Sequence, residues 1–117
     1  MDVYHVITIS MLHIPEEKIK EVWEKSTQVD GRNPTMWRKD FAGAWIRRID
    51  YGQRTMYGWT INRLRPVSKG GTIDIGNLNA MHWKNDLCKA DDYPSFKSCV
   101  TAEENRNINK LQKWEVK

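Results

Sequence analysis

Within the stretch GWTINRLRPVSKGGTIDIGNLNAMHWKND, residues 58–86, the polar side chains of Asn62, Arg63, Asn77, His82 and Asn85 bracket a glycine-containing loop. Amide oxygens such as that of Asn62 can approach a hard cation, but without the negative charge such ions favour. Arg63 offers a planar, permanently charged fork suited to a phosphate, and with a pKa above about 12 it cannot take a proton from water. His82 is the one side chain of the stretch that ordinarily titrates near neutrality. It precedes Asn85 by three residues, so on a helix the two would share a face. The chemistry in view is therefore phosphate binding, with His82 a substitute base if any base remains. Arg63 paired with Asp74 or Asp86 is the plainer alternative.

The elements that must position these residues follow from periodicity and turn signals. Alternation over Val3, His5, Ile7, Ile9 and Met11 predicts a strand. Pro15, Glu16 and Glu17 suit a helix start, and Ile19, Val22 and Trp23 give residues 15–26 one apolar face. Strands are predicted at 44–50 and 56–64, placed to pair as a hairpin through YGQRT. Pro66, Gly70 and Gly71 make residues 65–76 a loop. Met81, Lys84 and Cys88 stand at helical spacing, predicting a helix over 79–89. Thr101 with Glu104 reads as a capping box ahead of a C-terminal helix over 102–114, burying Ile108, Leu111 and Trp114.

A chain of 117 residues with 39% hydrophobic and 29% charged content fits one soluble α+β domain, residues 1–117. No apolar run is long enough for a bilayer, and the N-terminus does not resemble a secretory signal, so a cytoplasmic location is expected. Cys88 and Cys99 lack the CxxC spacing of a zinc site and are expected as reduced thiols, with a disulfide as the alternative. Residues 32–89 hold eleven Lys and Arg against four Asp, whereas the flanks hold eight against eleven acidic residues. Positive charge is thus concentrated around the quoted stretch, as a phosphate-facing surface or a solvated basic face requires. The six tryptophans are expected mainly in the core.

Pro66, Ser68, Gly70, Gly71, Asn77, Leu78, Asn85 and Lys89 fall at the spacing of the HNH endonuclease pattern, and residues 22–108 resemble a phage and bacterial branch of that family. The resemblance implies a ββα-metal unit at about 57–91, with residues 1–14 an N-terminal extension and 101–117 a C-terminal helix. It also implies that the family's metal-binding Asp falls on Asn62 and its general base on Arg63. Asn77 takes the orienting position and Asn85 the helix ligand. The Asp-His pair is replaced, so no intact catalytic set and no metal ligand set is expected. Losing general-base help costs about a hundred- to ten-thousand-fold in rate.

Three functions stay open. The chain binds DNA or RNA through a basic cleft formed by Arg47, Arg48, Arg63, Arg65, Lys69, Lys84 and Lys89. Alternatively, it is a pseudo-nuclease that inhibits a host defence system by binding a protein or ribonucleoprotein. The third is an endonuclease with residual activity that uses a divalent metal such as Mg²⁺; the other two need no cofactor.

Overall fold

The computed structural model describes residues 14–117, so the expected strand over residues 3–11, with His5 and His13, lies outside the described residues. Helix α1 (Glu16–Lys25) begins after Pro15, whose φ of −61° is already helical, and Glu16 and Glu17 stand at its positive end. It buries Ile19, Val22 and Trp23, the face read from the sequence.

Strand β1 (Trp37–Lys39) pairs antiparallel with β2 (Trp45–Arg47). The expected pairing of 44–50 with 56–64 does not form. Asp40 closes a tight turn instead: its carboxylate accepts from the backbone N–H groups of Ala42 and Ala44 at 3.0 and 2.9 Å. That turn commits β2 to β1. Past β2 the chain enters a 3-10 turn, Arg48–Asp50, which the Arg47–Asp50 ion pair spans at 3.0 Å.

Strand β3 (Trp59–Arg63) pairs antiparallel with β4 (Leu78–His82), Trp59 opposite His82 and Arg63 opposite Leu78. Helix α2 (Trp83–Lys89) follows directly. Residues 79–82, expected as helix, are therefore strand, because β3 offers them a backbone partner over five residues. The helix starts where the His82 ring accepts the Lys84 N–H.

The long connection from β3 to β4 is a loop, as its glycines predicted. Gly70 takes φ +86°, and a side chain on Gly71 would collide with the Arg65 carbonyl. Asn77 ties the loop's neck. Its Oδ1 accepts from the Arg65 N–H at 2.9 Å, and its Nδ2 donates to the carbonyls of Arg65 and Thr72.

Strands β5 (Ser95–Glu103) and β6 (Arg106–Glu115) form a long hairpin where the C-terminal helix was expected. Glu104, the supposed capping-box partner, sits in its turn at φ +54°. A helix would bury Ile108, Leu111 and Trp114 together. On the strand, Trp114 stands opposite Phe96 and Ile108 opposite Thr101, which lie on different faces of β5, and Leu111, at the bulge between them, is 61% exposed.

The fold is α+β: two helices and three small antiparallel sheets among the described residues. Its core joins Ile19, Val22 and Trp23 of α1 to Ile46, Trp59, Leu78 and Ala80. The rings of Trp23 and Trp59 meet at 5.2 Å. Trp23, Trp45 and Trp59 are buried, and the other three tryptophans are half-buried. Among the described residues, no helix is long and apolar enough to cross a membrane.

Candidate functional site

A cleft of about 460 Å³ opens between the end of β3, the start of the loop and the last turn of α2. Asn62 and Arg63 form one wall, Pro66, Val67 and Ser68 a second, and Asp86, Leu87 and Asp91 the third.

Asn62 is 7% exposed and donates its Nδ2–H to the Asp86 carboxylate at 2.7 Å. Its Oδ1 is buried without a partner among the described residues, as is Nε of Arg63. Arg63 forms no ion pair with Asp74 or Asp86, the partners the plainer reading gave it. Asp74 accepts from the Thr72 hydroxyl, and Asp86 from Asn62. The Arg63 guanidinium thus stands at the cleft wall with no ion pair among the described residues.

The other sequence-derived positions meet the cleft less directly. Asn85 is fully buried and points into the protein. Its Nδ2 donates to Asp40 and to the Val100 carbonyl, while its Oδ1 accepts the N–H groups of Cys99 and Val100. One residue on a helix is about 100° of rotation, and it is Asp86, not Asn85, that faces the cleft. Asn77 acts on the loop neck and does not line the cleft.

His82 is 2% exposed. Its Nε2 lies 2.9 Å from the Met56 carbonyl and its Nδ1 accepts from Lys84 N, so the ring is the Nε2–H tautomer with both nitrogens engaged. Burial lowers its pKa below the usual 6.5, against the Met56 bond and the Asp40 charge. With no free lone pair and no exposure, His82 is not positioned to take a proton from a water in the cleft.

Asp40, which the sequence reading had not singled out, organises this interior. It is 3% exposed and also accepts the His82 N–H at 3.0 Å. Burial raises its carboxyl pKa, opposed by the bonds from Asn85, His82 and Ala44.

The expected basic face divides. Arg47 is engaged by Asp50 and Arg48 by Glu16, and neither lines the cleft. Arg65 donates to the Lys69 carbonyl and lies over Tyr93, and Lys69 Nζ reaches the Tyr93 carbonyl at 3.3 Å. These two stand on the loop beside the cleft. Lys84 is exposed, 5.4 Å over the Trp83 ring. Lys89, expected on the basic surface, is instead fully buried, its Nζ 5.3 Å over Phe96. Desolvation lowers its pKa.

Side-chain oxygens among the residues lining the cleft are those of the Asp86 and Asp91 carboxylates, the Ser68 hydroxyl and Asn62 Oδ1. Among the described residues, no three His, Cys, Asp or Glu side chains converge on one point. Mg²⁺ there would need water and phosphate oxygens for most of its octahedron.

Asp86 and Asp91 were missed as lining residues because the helix was started four residues early, which left its facing unfixed. The clue available was Asp86 itself, the acidic residue next to Asn85. No protein-family model, curated protein or solved structure matches this chain.

Proposed function

We propose that this chain is an HNH-like domain that has lost its cleavage chemistry and uses the Asn62–Arg63 cleft to hold a nucleic-acid phosphate in the cytoplasm. The observation that carries the reading is Arg63: it lines an open cleft, and among the described residues it has no ion pair and its buried Nε has no partner. A guanidinium left unpaired there is stabilised by an anion with a matching fork of oxygens. Two further observations support it. The β3–loop–β4–α2 order is the one the family resemblance calls for, and Arg65 and Lys69 lie on the adjoining loop.

The test is binding of a labelled oligonucleotide across a salt series. Affinity should fall steeply with salt as counterions are released, and Arg63→Gln should lower the logarithmic slope by about 1. Binding that ignores both salt and Arg63→Gln sinks the reading.

A protein occupant is the second reading, favoured by the exposed apolar side chains of Val67 and Leu87 on the cleft rim, 52% and 55% accessible. In that case the chain is an inhibitor that docks on a component of a host defence system. A stoichiometric complex that survives nuclease treatment and is broken by Leu87→Glu would establish it over the first.

A further inference from the structure

A second hollow, of about 160 Å³, adjoins the cleft. Gln53, Arg54, Thr60 and Trp83 line it, and it shares Asp86 and Leu87 with the cleft. The two form one trough, with Arg63 toward one end and Trp83 toward the other.

The Trp83 ring is fixed in place. Its Nε1–H donates to the Thr55 carbonyl at 2.7 Å, and the His82 ring stacks on it at 5.9 Å with 23° between planes. The segment supplying Thr55 is itself packed tightly, since any side chain on Gly58 would collide with the Gln53 carbonyl. Two exposed cations, Arg54 and Lys84, lie 5.6 and 5.4 Å from the Trp83 ring. An aromatic ring with two exposed cations over it, beside a cleft that holds a guanidinium, has the parts of a single-strand site, ring for base and cations for backbone.

We infer that the trough takes an unpaired nucleic-acid strand, one base seated against Trp83 and the neighbouring phosphate held at Arg63. This rests on nucleic acid being the occupant of the cleft. Asp86 stands in the wall that the two hollows share, where its carboxylate can accept from the amino edge of a base. The order follows from the two ends, the ring at Trp83 taking a base and the guanidinium at Arg63 a phosphate. A duplex keeps its bases stacked and presents phosphates outward. Filling the Trp83 hollow from a duplex requires extruding a nucleotide at a cost of a few kcal/mol.

Fluorescence anisotropy at fixed salt, with one labelled oligonucleotide as single strand and as duplex, tests this. The single strand should bind roughly ten-fold tighter or more, and Trp83→Leu should remove that preference, since one stacked base accounts for about that factor. Trp83→Phe should retain most of it, and Arg54→Gln, a change at an exposed side chain, should weaken the single strand more than the duplex. Circular dichroism of each variant confirms folding. Equal affinity for the two forms, or a Trp83→Leu variant that folds and keeps the preference, overturns the trough. If Arg63→Gln still weakens binding in that case, the phosphate reading stands alone. If Arg63→Gln is also silent, both fall.

Discussion

Asn62 donates its side-chain amide hydrogen to the carboxylate of Asp86 across 2.7 Å, joining the end of β3 to the last turns of α2. The bond fixes the amide's orientation and so leaves Oδ1 buried without a partner among the described residues.

That relationship predicts what reversal would do. In Asn62→Asp, two carboxylates would face each other at hydrogen-bond distance, so the melting temperature should fall in chelator and recover with Mg²⁺. Adding Arg63→His supplies a base. The double variant should nick plasmid DNA with Mg²⁺, while neither single change does so, because base and metal act as one unit. The unaltered protein should give little heat when titrated with Mg²⁺ in a calorimeter. An Asn62→Asp protein that folds yet melts at the same temperature with and without Mg²⁺ would sink the idea.

Asn85 is a structural residue on this geometry. Asn85→Ala would take the side-chain partner from the Cys99 and Val100 N–H groups and from the Val100 carbonyl, and leave Asp40 Oδ2 with the His82 N–H alone. With roughly 1–3 kcal/mol for each buried group left unsatisfied, the total loss should be on the order of 3–5 kcal/mol. Urea unfolding measures it. A loss below about 1 kcal/mol would mean that Asn85 is not the tie between α2 and β5.

Lys89 makes the opposite case. It is fully buried, and among the described residues its Nζ has no hydrogen-bond partner, so Lys89→Met should leave stability unchanged or raised, because the charged head is exchanged for an apolar one of similar length. Oligonucleotide affinity and its salt slope should not change. A slope reduced by about 1 would show that Lys89 reaches a phosphate after all.

His82 predicts a pH dependence. Its folded-state pKa lies below 6.5 because burial penalises the imidazolium, so the unfolded chain takes up a proton more readily than the folded one. Stability is complete above the unfolded pKa and declines as pH falls below it, towards the folded value. Thermal melts at pH 7 and pH 5.5 should show the decline, and it should flatten in His82→Gln. Asp40 works in the opposite sense at lower pH, its carboxyl being raised by burial, which is why the comparison uses the His82 variant. Equal slopes in the two proteins would remove His82 as the cause.

How much of this was legible beforehand depended on whether the signal was local. Helix α1 could be read because Pro15, the two glutamates and the Ile19–Val22–Trp23 face are all local, and each acts within a turn or two. The glycine loop was legible for the same reason, since Gly70 and Gly71 express backbone constraints of their own positions. The hairpin of β5 and β6 was not. Spacings of three residues from Ile108 to Trp114 satisfy a helix, and only the partner strand, at Ser95–Glu103, makes the extended form the better one.

The same division holds for the site. From the sequence alone came the residue types: an amide and an arginine at the end of a strand, followed by a loop that must turn on glycine, in a basic stretch of the chain. Those are covalent properties, and no fold alters them. Tertiary structure decided which side chains face outward. It sent Asn85 and Lys89 inward, set Asp86 against Asn62, engaged both nitrogens of His82, and gave Trp83 to the adjoining hollow. The register of β4 against β3 fixes where α2 begins, and one residue of shift there turns each helix position by about 100°. That register is set by contacts between segments some twenty residues apart, which no local pattern contains.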